Sequence, residues 1–175
     1  MKIMRSKPGH EVILANYYQA NEAHLKKWSP LMPRSHHSVA SWTLRLIERE
    51  IEFIDNSSVH FIATSDSETQ VIGTCSISNI VRGVFQSCHI GYSVHRSFEG
   101  QGRMQELAQY TVDYVFTELK LHRIIANYMP ENRRSEALLN RLGFEREGYA
   151  KRFLQIDGEW EDHVLNSLIN KNYVG

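Results

Sequence analysis

The chain has 175 residues and a mass of 20.3 kDa, with 42% hydrophobic and 23% charged residues. Twenty basic residues balance twenty acidic ones, so no overall electrostatic field favours binding to nucleic acid or to an anionic membrane. This size and composition predict a single domain, residues 1–175, that buries its own core.

The N-terminal segment is basic, but it lacks the apolar run and the cleavage site of a secretory signal. No stretch contains the ~20 consecutive apolar residues that would span a bilayer. Cys75 and Cys88 are too few for a disulfide framework and fit a reducing compartment. We therefore expect a soluble cytoplasmic protein, a monomer or a homodimer.

The first third of the chain predicts a short edge strand over residues 1–6 and a helix over residues 10–25. Two prolines follow and interrupt any helix. Ser38 or Ser41 is expected to cap a second helix that ends near Asp55. The apolar residues of that second helix are Trp42, Leu44, Leu46, Ile47, Ile51 and Ile54.

Three strand patterns come next, over residues 59–64, 71–80 and 85–94. The segments between them are short and rich in turn residues, which predicts an antiparallel meander. After Gly102, apolar residues recur every three or four positions up to Leu119, and this spacing predicts an amphipathic helix.

The last third predicts a strand over residues 122–128 and a helix over residues 132–142, which Gly143 ends in a left-handed cap. Two further strands, 149–156 and 160–169, are joined at Asp157-Gly158, a dipeptide typical of hairpin turns. The order of elements therefore predicts a mixed α/β fold in which helices pack on a central sheet.

The turn at residues 99–104 reads Glu-Gly-Gln-Gly-Arg-Met and lies between a strand and a strong helix. Its glycines let the backbone approach a ligand, and the free N–H groups and dipole of the helix favour a phosphate. A turn without any ligand would also explain the glycines.

Three other motifs do not fit this region. A dinucleotide-binding fingerprint would need a third glycine where Gln105 stands, and a P-loop would need Gly-Lys-Ser/Thr. Residues 91–95, Gly-Tyr-Ser-Val-His, match the nucleophile elbow of serine hydrolases except at its last glycine. In addition, the strand here continues beyond Ser93 instead of turning straight into a helix.

The turn resembles the cofactor loop of the GNAT superfamily of acetyltransferases, Gln/Arg-x-x-Gly-x-Gly/Ala. The pattern begins at Glu99, places its glycine at Gly102 and ends at Met104, so its first and last positions differ here. Longer segments, from about residue 11 to 168, are similar to the RimJ-type branch, which acetylates the N-terminal alanine of a small-subunit ribosomal protein. These segments are residues 78–83, 122–130, 141–151 and 156–165.

The resemblance implies a GNAT fold: a mostly antiparallel central sheet with a bulged, splayed strand pair and helices on both faces. Gly91, inside the strand before the turn, independently indicates a bulge. The resemblance also implies acetyl-CoA as co-substrate, with its pantetheine arm beside the strand and its pyrophosphate on the turn amides. The implied cofactor-binding residues are Ser93, Val94, Gly100, Gln101, Gly102, Arg103, Met104 and Asn132.

Asn132 would also make a good helix N-cap, and both roles can coexist. Acetyl transfer requires an uncharged amine, a donor to the carbonyl oxygen and a proton for the departing sulfur. The resemblance assigns the oxyanion donor to the Val94 N–H and the acid to Ser135, which matches a serine of the related RimL branch.

The general base does not carry over, because Asn127 and Leu154 occupy the family's two glutamate positions. An N-terminal amine has a lower pKa than a lysine side chain, so it loses its proton more easily and depends less on a general base. The preferred acceptor is therefore the N-terminus of a ribosomal protein. Two alternatives remain open: a CoA-binding, ribosome-associated factor with little catalysis, and an acetyltransferase of a small amine such as a polyamine or aminoglycoside. The nine histidines include no i, i+4 pair, and we expect no metal site.

Overall fold

The computed structural model describes residues 1–174. Its strands are β1 (Lys2–Arg5), β2 (Val59–Thr64), β3 (Val71–Val81), β4 (Ser87–Val94), β5 (Arg123–Tyr128), β6 (Glu145–Ile156) and β7 (Glu159–Ile169). Its α-helices are α1 (Glu11–Leu25), α2 (Val39–Ile54), α3 (Arg103–Thr117) and α4 (Arg133–Arg141). The predicted order of elements is confirmed.

The seven strands form one sheet in the order β1-β2-β3-β4-β5-β7-β6. Neighbouring strands are antiparallel except β4 and β5, which are parallel and are joined by the long helix α3. The predicted meander is β2-β3-β4, and the predicted hairpin is β6-β7. The mostly antiparallel central sheet is therefore confirmed.

Local sequence signals predicted most ends of helices and strands to within two residues of their observed positions. Ser38, not Ser41, caps α2, since its side chain accepts a hydrogen bond from the Ser41 N–H. Gly143 has φ 84°, the left-handed conformation expected at the end of α4. Strand β6 begins at Glu145, four residues before its predicted start, because its polar first residues pair with the far end of β7, as Glu145 does with Ser167.

The bulge expected at Gly91 was wrong. Gly91 lies in regular register opposite Ser76, and the register between β3 and β4 shifts instead between Ser78 and Val81. Asn79, inside that shift, has φ 50°. Asparagine adopts this left-handed conformation more readily than most residues, so the irregularity arises where the backbone can bend at low cost.

Helices cover both faces of the sheet, as expected. Neighbouring residues of a strand point to opposite faces, and in β2 Phe61 packs towards α3 while Ile62 packs towards α1 and α2. Helices α3 and α4 share the Phe61 face. Of the apolar residues of α2 only Trp42 and Leu46 are buried. The sheet thus presents one edge of β4 between two helical layers.

Candidate active site

A gap opens between the two parallel strands. Strands β4 and β5 pair only over three residues each, Ser87 to His89 with Arg123 to Ile125. Beyond His89, β4 continues to pair with β3 as far as Val94, whereas β5 continues with β7 as far as Tyr128. One edge of residues 90–94 therefore has no strand beside it.

The backbone of Val94 faces this gap. The N–H of His95 donates to the carbonyl of Ile72 on β3, 2.8 Å away. Hydrogen-bonded and non-bonded residues alternate along an antiparallel pair, so the N–H groups of Val94 and Tyr92 point away from β3. The backbone of Ser93 points towards β3 by the same alternation. The N–H of Val94 is thus an unpaired donor at the gap. The N–H of Tyr92 is a second one, whereas the backbone of Ser93, a predicted cofactor-binding residue, faces β3.

The glycine turn leads from the end of β4 to the start of α3. Gly100 has φ 71° and Gly102 has φ 75°, and a Cβ added at either would meet no atom within 4 Å. Gly102 is the N-cap residue and has no side chain to cap the helix. The first amides of α3 therefore lack intrahelical partners and, with the helix dipole, suit a phosphate group.

Three side chains of the turn are polar, and Gln101 and Arg103 each have a partner inside the protein. Gln101 donates through Nε2 to the carbonyl of Ser97 at 2.8 Å. Arg103 lies 3.4 Å from Glu106 on the next turn of α3. The backbone amides of the turn are donors in addition to these side chains, and they require no particular side chain.

Glu99, the first residue of this turn, is acidic where the family pattern has glutamine or arginine. Its carboxylate contacts Nε2 of His24 on α1 at 3.0 Å and the guanidinium of Arg134 on α4. The carboxylate thus contacts a histidine and an arginine, and the guanidinium charge of Arg134 offsets its own. The substitution of glutamate at this position is compatible with an anionic ligand on the turn.

Helix α4 contributes two of the predicted residues to the other side of the gap. Asn132 is the N-cap, and its Oδ1 accepts the N–H of Ser135 at 3.1 Å. The hydroxyl of Ser135 lies 2.6 Å from the phenol oxygen of Tyr92, across the gap on β4. Ser135 is 9% exposed, so the two hydroxyls meet in a largely dry environment.

Sequence reasoning missed Tyr92. The alternation of β4 indicates that its side chain lies on the opposite face from that of Ser93, but no local signal identifies a partner 43 residues away. The two positions came together only through the packing of α4 beside the gap.

A cleft of about 200 Å³ opens on the α1 face of the same strand. Ser93 contributes its hydroxyl there, bonded to the hydroxyls of Tyr17 at 2.8 Å and Thr74 at 3.0 Å. The cleft is lined by Tyr18, Leu25, Ser29, Thr74, Ser76, Gly91, Tyr92 and Ser93. Its lining carries hydroxyls and no carboxylate.

Asn127 and Leu154 occupy the two positions at which the family has a glutamate base. Asn127 uses its side-chain oxygen to accept the N–H of Asn166 on β7, at 3.4 Å. Leu154 is 44% exposed on the β6-β7 hairpin.

Within residues 1–174, no three potential ligand side chains are close enough to hold a metal ion. None of the helices in that range combines the length and apolar character needed to cross a membrane.

Removing the N-cap of α4 tests how the first turn of this helix is stabilised. Asn132→Ala is expected to lower the free energy of unfolding by about 1 kcal/mol, because the first amides of a nine-residue helix lose their acceptor. Urea denaturation followed by circular dichroism measures the change. Asn140→Ala, an exposed asparagine of the same helix, is the control and should leave stability unchanged or slightly raised. Equal losses in both variants would contradict the capping role.

The family model for the acetyltransferase (GNAT) domain matches residues 7–145. The chain belongs to this family and is an acetyl-CoA-dependent N-acetyltransferase. It is 42% identical over 160 residues to the [ribosomal protein uS5]-alanine N-acetyltransferase of Escherichia coli (strain K12), covering 91% of this chain and 82% of that protein.

Two solved structures of the same kind superpose closely. The ribosomal-protein-S5-alanine acetyltransferase of Vibrio fischeri has a TM-score of 0.96 and 36% identity, covering 99% of this chain and 94% of that one. Mycobacterium smegmatis RimJ in complex with CoA-disulfide has a TM-score of 0.91 and 30% identity, covering 99% of this chain and 83% of that one. The likeness therefore extends over almost the whole fold.

Proposed function

We propose that this enzyme transfers the acetyl group of acetyl-CoA to the α-amine of an N-terminal alanine on a ribosomal protein. The observation that carries the proposal is the extended likeness to enzymes named for that reaction. A ribosomal acceptor also implies a cytoplasmic reaction.

The gap and the turn fit acetyl-CoA by the chemistry of their donors. The amides of residues 100–104 would hold the pyrophosphate, and the free edge of β4 would pair with the pantetheine arm. Bound there, acetyl-CoA supplies an activated acyl group. The N–H of Val94 would then donate to the thioester carbonyl oxygen, and such a fixed donor is worth about 3 kcal/mol in comparable oxyanion holes.

Asn132 and Ser135 border the same gap from α4. Asn132 uses its Oδ1 as the helix cap, which leaves its amide N–H groups for a pantetheine carbonyl. Ser135 presents a hydroxyl beside the proposed position of the sulfur, where a proton is needed when CoA leaves. The cofactor site thus combines backbone donors of β4 and α3 with side chains of α4.

The absence of a carboxylate from the cleft lining favours an α-amine over a lysine side chain. An α-amine with a pKa near 8 costs about 1 kcal/mol to deprotonate at pH 7.5, whereas a lysine near 10.4 costs about 4 kcal/mol. A site lined by hydroxyls can therefore receive an N-terminal amine that is already partly neutral.

The test is a turnover assay on short peptides. A peptide with the N-terminal sequence of uS5, beginning with alanine, is expected to release CoA and gain one acetyl group by mass spectrometry. Activity should rise with pH and level off above about pH 8, where the α-amine is neutral. The same peptide blocked at its N-terminus but retaining its lysines is the control and should not react. Turnover of spermidine or an aminoglycoside without turnover of the peptide would contradict the proposed acceptor.

A further inference from the structure

A chain of polar contacts runs from the cleft on the α1 face to the last turns of α2. Ser76 on β3 is half-buried and lines the cleft. Its hydroxyl oxygen lies 2.9 Å from Nδ1 of His60, the residue opposite it on β2. The other ring nitrogen, Nε2, lies 3.0 Å from the hydroxyl of Ser58 and 3.3 Å from the carboxylate of Glu52. The histidine thus connects a hydroxyl of the cleft to an acidic side chain outside it.

The partners of Nε2 fix which ring nitrogen carries the proton. Ser58 donates its own proton to Glu52 at 2.5 Å, so its oxygen can only accept from the ring. A carboxylate also only accepts, which places the ring proton on Nε2. Burial, aided by the nearby charge of Arg49, lowers the pKa of His60 and keeps the ring neutral at pH 7. Nδ1 is therefore an acceptor, and Ser76 donates its proton to it.

This direction determines what the hydroxyl of Ser76 offers to the cleft. Its proton is directed at His60, so Oγ presents lone pairs to a ligand. The residue opposite Ser76 on β4 is Gly91, where an added Cβ would meet no atom within 4 Å. Because glycine has no side chain, the space beside the hydroxyl stays open, and both residues line the cleft. That space adjoins β4, along which the pantetheine arm is proposed to bind.

An amine that attacks a thioester must keep its lone pair free. A hydroxyl that donated to the nitrogen would occupy this lone pair, whereas an acceptor engages only an N–H. We propose that Ser76 holds the acceptor α-amine: its Oγ accepts an N–H of the amine, and the nitrogen lone pair stays available for the thioester carbonyl carbon. His60 is a positioning residue, which acts through the hydroxyl of Ser76. The inference rests on the proposed acceptor and on its entry into this cleft.

A neutral acceptor suits a cleft whose lining carries no carboxylate. A carboxylate beside the amine would favour the ammonium form and raise the pKa of the amine, whereas a hydroxyl adds no charge. The carboxylate of Glu52 lies behind the ring of His60 and is 45% exposed, so water screens its charge. An α-amine with a pKa near 8 therefore still loses its proton readily when it enters the cleft.

Substitutions of Ser76 test this subsite with the alanine-starting peptide. Ser76→Ala is expected to raise the KM for the peptide about 10-fold, the effect of one lost hydrogen bond. The kcat and the calorimetric Kd for CoA should stay within about twofold of wild type, because the bond is made before and during the reaction alike. Ser76→Thr keeps the hydroxyl and suits a strand, so its KM should return to near the wild-type value.

Ser78→Ala is the matched control. Ser78 lies two residues further along β3, on the same face of the sheet, and is not among the residues that line the cleft. Its truncation removes the same hydroxyl group from the same strand. The KM for the peptide should therefore equal that of the wild type.

Substitutions of His60 test its positioning role. His60→Leu removes the acceptor for the Ser76 proton and should raise the KM by up to about 10-fold. Adding Ser76→Ala to His60→Leu should raise the KM no further than Ser76→Ala alone, because His60 acts only through that hydroxyl. His60→Asn retains an acceptor oxygen close to the position of Nδ1, so its KM should stay near the wild-type value.

An unchanged KM in Ser76→Ala, or an equal rise in Ser78→Ala, would overturn the subsite. Effects of Ser76→Ala and His60→Leu that multiply in the double variant would overturn the positioning role. If His60→Leu does not fold, a KM for Ser76→Thr as high as that for Ser76→Ala contradicts the hydroxyl acceptor. A wild-type enzyme that acetylates a different amine instead of the peptide refutes the proposed acceptor alone. An unchanged KM of Ser76→Ala for that amine would then refute the subsite as well.

Discussion

Replacing Gly102 by valine is expected to weaken CoA binding about 10²-fold. The valine Cβ would meet no protein atom within 4 Å. We expect its side chain to occupy part of the space in front of the first amides of α3, where the phosphate is proposed to bind. A phosphate displaced from that space loses charge-assisted hydrogen bonds, each worth about 1.5–3 kcal/mol. Two such bonds correspond to about 10² or more in Kd. Isothermal titration calorimetry with CoA measures the effect.

Gly83→Val is the matched control. Gly83 has φ +70° against +75° for Gly102, and its Cβ would also meet no protein atom within 4 Å. Both substitutions force valine into a left-handed conformation, at a cost of about 1–2 kcal/mol in stability. Only Gly102→Val should change the Kd for CoA. Equal affinities in the two variants would show that the turn does not hold the phosphates.

Trp42→Ala is expected to lower the free energy of unfolding by about 3–5 kcal/mol. The indole is 1% exposed, stacks on the ring of Tyr18 at 5.1 Å and lies beneath the guanidinium of Arg45 at 4.3 Å. Since domains are stable by only about 5–15 kcal/mol, this loss removes a large part of the total. Urea denaturation curves of wild type and variant provide the measurement.

Leu44→Ala is the control on the same helix. Leu44 is 66% exposed, so its truncation leaves no cavity and should change stability by at most about 0.5 kcal/mol. Similar losses for the two variants would mean that Trp42 does not anchor α2 to the sheet. Because Trp42 stacks on Tyr18, Trp42→Ala should also loosen the α1 wall of the cleft beside β4.

Signals that act over a few residues predicted their structures well. The apolar spacing after Gly102 predicted α3, and Asp157-Gly158 predicted the β6-β7 turn, where the two residues have φ 46° and 90°. Sequence-based prediction failed where a residue's contacts are with residues far away in the chain. Burial on α2 is an example, since Leu44 and Trp42 belong to one apolar set yet only Trp42 contacts the sheet layer.

The resemblance to acetyltransferases predicted the family correctly, and the site residues remain predictions. Glu99 illustrates the limit. The sequence showed only an acidic residue where a phosphate was expected, whereas the fold brings His24 and Arg134 to its carboxylate. Both partners are remote along the chain, Arg134 by 35 residues and His24 by more, beyond the reach of any local pattern.

The sequence by itself determined the order of strands and helices, the glycine turn before α3 and the cap at Asn132, because each depends on neighbouring residues. The tertiary structure decided the parting of β4 from β5, the direction of the Val94 N–H and the contact of Tyr92 with Ser135. These depend on which strand pairs with which, and on where α4 packs. Such long-range choices follow from burying both faces of one sheet, to which residues throughout the chain contribute.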